Sequence, residues 1–374
     1  MTPFVSIGMP AFNEAGTISR AIEAILSQTF SSFELTVFDD HSTDDTAAIA
    51  EAYALKDTRL RVLRNSCNLG VVANLNRALS SGSADFVMPA SANDWIEPTF
   101  LEGCMAIHER EPGTALVYAD AEMRDASGRP AGRYAEHSLF ETPAADPFTG
   151  ACIVMRRYGF AAPMWGVYRR SVLQAMSPYP YGRGCDHVFI CETALHGSIR
   201  RVPEVLYNRS FPFDRGYFDI ARQYSRAFPR GLPVDDIFAR PEPRFPMIDL
   251  LYQHLDMFAV ARIDPQLRPP LFEAAQSILT ERYEQELGQD LRALDRVLET
   301  AVTRMGQDAR HRETLPDRYG IANLVEIATR AEAVLGQRLP MGHVRRHRAQ
   351  LLDLLQGAGR PDMSPNSGDH GKAW

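Results

Sequence analysis

Apolar positions along the chain follow two regimes. Up to about residue 210, short apolar runs alternate with segments whose apolar residues recur at helical spacing; past residue 247 only the helical spacing remains. Phe4–Met9, closed by Pro10, predicts a first strand, and Thr17–Gln28, with Ile18, Ile22, Ile25 and Leu26 on one face, predicts the helix after it. Phe33–Phe38, Leu60–Leu63 and Asp85–Met88 predict three more strands, separated by helices over Ala47–Ala54 and Val71–Leu79, the latter with Asn74 and Asn76 embedded. Such alternation implies an α/β fold, with a parallel sheet and right-handed crossovers over the first hundred residues. Phe100–Arg110 then reads as a helix and Ala115–Tyr118 as a strand. Gly128–Gly150 reads as loop-rich, Arg170–Met176 and Asp186–His196 as helices, and Val202–Tyr207 as the last strand. The expected organisation is a domain over 1–210, a Pro/Arg-rich connection over 211–246, a helical module over 247–356 and a disordered tail over 357–374.

Composition changes this picture little. At 374 residues the chain exceeds one ordinary core, and 45% hydrophobic with 23% charged residues is the balance of a globular protein. A formal net charge of −7 gives no electrostatic reason for a nucleic-acid partner. The five cysteines are scattered without metal-ligand spacing, which suits a reducing cytoplasm. MTPFVSIGMP has no basic segment ahead of an apolar one, so no signal peptide is expected, and no apolar window is long enough for a membrane span. The basic cluster Met341–Arg348 opens an amphipathic helix. Peripheral contact with an anionic inner membrane face is one reading of it, and an ordinary solvated face is the favoured one.

The chemistry concentrates where strands end. Leu35–Phe38 stops at Asp39 and Asp40, and the Asp85–Met88 strand is followed by Asn93 and Asp94. Open α/β sheets bind ligands at that edge. Carboxylates there can accept from a base or a sugar hydroxyl, or hold a hard cation against a diphosphate. No Gly-rich phosphate loop follows the first strand, so nucleotide phosphates would rest on side chains and a cation. Capping and turn formation account for Ser42 and Asp44, whereas two adjacent, mutually repelling carboxylates favour a functional role for Asp40.

Pro10-Ala-Phe-Asn13-Glu14, Ser27-Gln-Thr-Phe30, Phe38-Asp-Asp40-His-Ser42-Thr-Asp44 and Asn68-Leu-Gly70, in that order and spacing, resemble the N-terminal half of an inverting family 2 glycosyltransferase of GT-A fold, over about residues 4–210. The resemblance implies a uridine or thymidine diphosphate sugar donor. Pro10, Phe12 and Glu14 would line the base and ribose, Asp40 would meet the pyrimidine N3–H, and Asp39 would shape the pocket. Asn68 and Asn74 would lie in the stretch that closes over the nucleotide. The family's DxD-type metal motif falls on Ser91-Ala-Asn93-Asp94-Trp95, where one expected aspartate is Asn93. Three readings stay open: a manganese or magnesium ion held by Asp94 with Asn93 and the donor phosphates, a metal-independent enzyme, or a binding relic without turnover.

The resemblance also implies an acidic catalytic base ahead of a helix, and Asp186 is the match, preceded by Cys185 where the family often has glutamate. Capping its helix would be compatible with that role. Trp165 is equally a sugar-stacking surface and a core aromatic, and the same holds for Tyr179 and Tyr181. His187 is read as a neighbour of the acceptor site that tunes or packs. The implied acceptor is a glycan or lipid-linked glycan, in surface or secreted glycan assembly. The rivals are a nucleotide-sugar-binding protein without catalysis and, disfavoured by the missing Gly-rich, Lys-bearing loop, a nucleotidyltransferase.

Overall fold

In the computed structural model the described residues are 4–125, 127–133, 139–143, 146–159, 162–180, 184–210, 246–307 and 318–357. The connection expected over 211–246, apart from its last residue, the tail beyond 357 and Tyr181 lie outside them.

The apolar runs form strands β1 (Val5–Ala11), β2 (Phe33–Asp39), β3 (Leu60–Arg64) and β4 (Phe86–Pro89), crossed over by helices α1 (Ile18–Leu26), α2 (Thr46–Ala54) and α3 (Val71–Leu79). They pair in parallel in the order β3-β2-β1-β4. β1 and β2 are buried almost throughout, as continuous apolar strands of a parallel sheet covered on both faces must be. Past β4 the sheet turns mixed. A two-residue strand β5 (Trp95–Ile96) and helix α4 (Phe100–Arg110) precede β6 (Thr114–Arg124), with β7 (Pro130–Arg133) paired on it. After helix α5 (Pro147–Arg157) and a 3₁₀ turn over Ala162–Trp165, β8 (Val167–Arg169) inserts antiparallel between β4 and β6. Helices α6 (Arg170–Ala175) and α7 (Cys185–Leu195) lead to β9 (Ser198–Ser210), parallel to β6 and antiparallel to β5.

Register places the ends of β1 and β2 level, Ala11 opposite Asp39. Close packing holds that edge: a Cβ added to Gly8 in β1 would lie 2.4 Å from the carbonyl oxygen of Ala78 in α3. Since that neighbour is backbone, Gly8→Val is expected to cost about 3 kcal/mol or more in urea unfolding. A loss under about 1 kcal/mol would mean that α3 can move aside.

The helices after residue 245 are α8 (Pro246–Val260), α9 (Arg268–Arg282), α10 (Glu284–Gln307), α11 (Arg318–Leu335) and α12 (Gly342–Gly357). The described residues fall into two units. Residues 249–282 belong with the sheet domain, and 246–248 with 283–357 form the second. The boundary expected at 247 therefore differs from the observed division. The reason is apolar: Leu271, Ala275 and Ile278 of α9 are buried, α9 packs on α5, and Arg282 donates to the carbonyls of Met155 and Tyr158 at 2.7 and 2.6 Å. In the second unit Leu287, Leu291, Leu294 and Leu298 form the buried stripe of α10. The basic cluster of α12 is partly neutralised within that unit: Arg345 and Arg348 reach Glu332, and His347 reaches Asp295. Among the described residues no helix is long and apolar enough to cross a membrane.

Candidate active site

The loops after β1 and β2 are sewn together by the polar residues that follow Asp40. Asn13, at φ 55°, donates its N–H to Ser42 Oγ at 3.0 Å and accepts from Thr43 N–H at 2.8 Å. Glu14 N–H reaches Thr46 Oγ1 at 2.7 Å, and Ala15 N–H reaches Asp44 Oδ2 at 3.1 Å. Ser42 and Asp44 thus stitch two loops; Asp44 also accepts from Thr46 N–H at the head of α2, whose N-cap residue is Asp45, and Ser42 takes no part in that helix start. Pro10, Phe12 and Glu14 line the resulting edge, all half-buried.

Asp39 and Asp40 differ in how their carboxylates are satisfied within the protein. Asp40 is 2% exposed and its carboxylate accepts three hydrogen bonds. Oδ1 accepts from Asn65 Nδ2 at 2.7 Å and Leu69 N–H at 2.8 Å, and Oδ2 from Gly70 N–H at 2.9 Å. Gly70 sits at φ 89°, a conformation that glycine adopts freely and that turns its N–H into this nest. Asn68 donates to the Asp40 carbonyl, and Asn74, buried, donates to the Phe38 carbonyl and accepts from Asn65. Asp40 and Asn74 therefore build the 65–70 loop from within. Asp39, 0% exposed, commits only Oδ2, to Ser42 N–H at 3.2 Å and Arg64 Nε at 3.3 Å. Its Oδ1 is buried with no hydrogen-bond partner in the protein. A buried carboxylate oxygen without a hydrogen-bond partner is rare in a folded protein.

Around β5 the expected metal ligands do not converge. Ser91 Oγ donates to Asn93 Oδ1, pairing two neutral groups. Asp94, 6% exposed, turns inward, taking Tyr207 Oη–H at 2.6 Å and Ser210 N–H at 2.8 Å. Burial raises its pKa, opposed by the Tyr207 hydrogen bond and by the Arg209 guanidinium. Arg20 of α1 stacks 3.7 Å above the Trp95 ring, beside Asp94. Among the described residues no three His, Cys, Asp or Glu side chains gather where a metal could sit. A divalent cation wants several hard, mostly anionic oxygens. A hydroxyl and an amide satisfied by each other, beside a carboxylate turned into β9, do not fit one, so Asp94 is an anchor between β5 and β9.

Asp186 lies in the first turn of α7, after Gly184 in the left-handed region. Burial raises its pKa, while a hydrogen bond from Tyr179 Oη and the Arg209 charge oppose the rise. The Tyr179 phenol donates to Asp186 Oδ1 and lies 2.9 Å from Cys185 Sγ. Burial pushes the Cys185 thiol up to about 11, so it stays protonated at neutral pH. Tyr179 is itself pinned by Asn76 of α3, whose amide accepts from Tyr179 N–H at 2.8 Å and donates to Tyr179 O at 3.0 Å. A chain of hydrogen bonds thus runs from the helix behind the donor edge to the acidic side chain of α7. The embedded Asn76 was its sequence signal; nothing local in the sequence pointed to Arg209.

His187 packs, one of the two readings open to it. It is 4% exposed, its ring edge on Tyr158 at 5.2 Å between centroids. His254 Nδ1–H donates to Leu250 O at 2.8 Å, so its Nε2 accepts from His187 Nδ1–H, also at 2.8 Å. Burial lowers the pKa of both, His254 to about 4, so the pair is neutral and joins α7 to α8. Trp165 is half-buried at the end of the 3₁₀ turn, whose Pro163 and Met164 carbonyls accept from Tyr168 Oη. A cavity of about 390 Å³ among Phe4, Phe86, His108 and Arg169 opens at the other edge of the sheet, away from these groups.

The glycosyl transferase family 2 model matches residues 6–176, which hold the donor edge, the Ser91–Trp95 turn and β8. Residues 6–176 are a family 2 glycosyltransferase domain. Relatives of this domain include an uncharacterised glycosyltransferase of Haemophilus influenzae, 25% identical over 54% of this chain and 64% of its own length. The putative glycosyltransferase EpsE of Bacillus subtilis is 36% identical over 32% of this chain and 45% of its own, and the chondroitin synthase of Escherichia coli 24% identical over 55% and 29%. The chain thus spans less than two thirds of each of these relatives. Among solved structures, Staphylococcus aureus TarS 1–349 superposes with a TM-score of 0.56 at 16% identity, covering 94% of this chain and 91% of that 1–349 chain; another structure of TarS 1–349 is in complex with UDP-GlcNAc. At this identity the likeness establishes the fold, which is the GT-A-like one expected, with a helical C-terminal region.

Proposed function

We propose that the protein moves a sugar from a uridine or thymidine diphosphate donor to an acceptor hydroxyl with inversion, in the assembly of a surface or secreted glycan. The observation that carries this reading is the pair of unlike carboxylates: Asp39 with an orphaned oxygen at the donor edge, and Asp186 with a raised pKa at the head of α7. The base packs along Pro10 and Phe12, its N3–H donating to Asp39 Oδ1, and the ribose lies toward Glu14. Asn68 closes the loop over the nucleotide. Asp186, ionised, takes the proton of the acceptor hydroxyl as that oxygen bonds the anomeric carbon. The bond from that carbon to the diphosphate oxygen breaks on the opposite face, and the diphosphate leaves with the electron pair. A single displacement of this kind inverts the anomeric centre. Trp165 and a glycan or lipid-linked acceptor belong to the same reading.

Thermal-shift screening with nucleotides and nucleotide sugars tests donor binding, since a ligand of the folded state raises the melting temperature by mass action. No shift with any pyrimidine nucleotide would defeat the proposal. The second reading, nucleotide-sugar binding without turnover, is favoured by the neutral Ser91–Asn93 pair; tight binding with no release of nucleoside diphosphate under any condition would establish it.

Tyr179 tunes the base. Its donated hydrogen bond favours the ionised carboxylate of Asp186, so Tyr179→Phe leaves the base ionising at higher pH. The acid limb of the kcat/KM profile is expected to move to higher pH, with the alkaline plateau within about threefold of wild type. An unmoved acid limb would separate Tyr179 from the ionisation that governs turnover.

A further inference from the structure

The turn after β4 stands where the fold family holds a divalent cation, yet a diphosphate bound there would meet guanidinium groups. Ser91 and Asn93 satisfy each other, and the carboxylate of Asp94 faces β9 through Tyr207 and Ser210. The β5–β9 pairing that turns Asp94 inward also sets Trp95 opposite Asn208, which puts Arg209 beside the turn. Arg209 is half-buried, its chain neighbours Asn208 and Ser210 are bonded to the turn through Trp95 and Asp94, and its charge acts on both Asp94 and the proposed base Asp186. Arg20, held over the Trp95 ring, adds a second cation to the same turn.

We propose that Arg209, assisted by Arg20, neutralises the donor diphosphate, and that nucleotide binding and transfer need no divalent cation. This rests on the nucleotide-sugar reading above. The charge fits. Exchanging acidic ligands for a hydroxyl and an amide removes from positions 91 and 93 the anions that would require a dication. Arginine stays protonated at all working pH and can bond two phosphoryl oxygens at once, so it stabilises the departing charge without a proton moving. As the anomeric carbon–oxygen bond breaks, the electron pair goes to the diphosphate, and the proton of the acceptor goes to Asp186.

The test uses the full chain and calorimetry. From UDP, dTDP, CDP, GDP and ADP, the diphosphate giving the largest thermal shift is titrated beside its parent nucleoside, with EDTA and with manganese. Diphosphate affinity is expected to agree within about threefold between the two conditions, because no carboxylate cluster is present to recruit the ion. Arg209→Gln is expected to weaken the diphosphate about tenfold or more while the nucleoside stays within about twofold, the scale of one charge-assisted hydrogen bond. A tenfold or greater gain from manganese overturns the proposal, as does an unchanged diphosphate affinity in Arg209→Gln. If that variant does not fold, Arg209→Lys and the wild-type comparison of EDTA with manganese decide. Binding of neither diphosphate nor nucleoside overturns the nucleotide-sugar reading itself and this proposal with it, whereas nucleoside binding with a manganese-dependent diphosphate defeats the proposal alone.

Discussion

Asp186→Asn is expected to lower kcat about a thousandfold while nucleotide affinity stays within about twofold. The asparagine is isosteric and keeps the α7 turn, but its amide cannot take a proton from an attacking hydroxyl. Burial raises the pKa of Asp186, and that makes it a stronger acceptor once ionised; the Tyr179 phenol and the Arg209 charge restrain the rise so that an ionised population exists. The loss should be confined to turnover, because the donor edge is built from β1, β2 and the 65–70 loop, to which Asp186 contributes no bond. Steady-state release of nucleoside diphosphate gives kcat, and calorimetry on the same variant gives affinity. A loss under about tenfold would move the base elsewhere.

The alternation of apolar runs and helical spacing made the parallel half of the sheet legible, because strand and helix periods are local properties of the chain. β8 was not legible: Val167–Arg169 is three residues long and exists as a strand only because β4 and β6 lie on either side of it. The membership of residues 249–282 was hidden for a related reason. Helical spacing shows that α9 has an apolar stripe but not that α5 covers it. In the site, residue types were readable and roles were not. Asp39 and Asp40 are adjacent and chemically alike, and what separates them is their partners: Asp40 takes the N–H groups of Leu69 and Gly70, whereas Asp39 takes Ser42 N–H and Arg64 through one oxygen. His187, one residue from the proposed base, points along α7 into a histidine pair with His254, a contact sixty-seven residues away in sequence. Arg209 joins the site through the pairing of a two-residue strand with the end of a long one, which no local pattern encodes.

That separation of the two acids should appear as a crossed pair of effects. Asp40→Ala removes one acceptor from Asn65 and the side-chain acceptor of Leu69 and Gly70 N–H, in a setting too closed for water to replace them fully. Each buried donor left unmatched costs about 1–3 kcal/mol, so the expected loss in urea unfolding is about 4 kcal/mol, among the largest for one side chain in this unit. Asp39→Asn keeps the shape and leaves an oxygen or an amide facing Arg64, whose exposed side chain can turn to water; its cost is expected to stay under about 1 kcal/mol. Affinity should respond the other way round. In the proposed reading the Oδ1 position of Asp39 accepts from a pyrimidine N3–H, so exchanging the carboxylate for an amide is expected to weaken nucleotide binding about tenfold. Asp40→Ala, measured where it is still folded, should lose affinity only as far as the 65–70 loop is loosened. If Asp39→Asn were to unfold the domain while leaving affinity intact, or Asp40→Ala were to abolish binding at full stability, the roles read from the hydrogen bonds would have to be exchanged again.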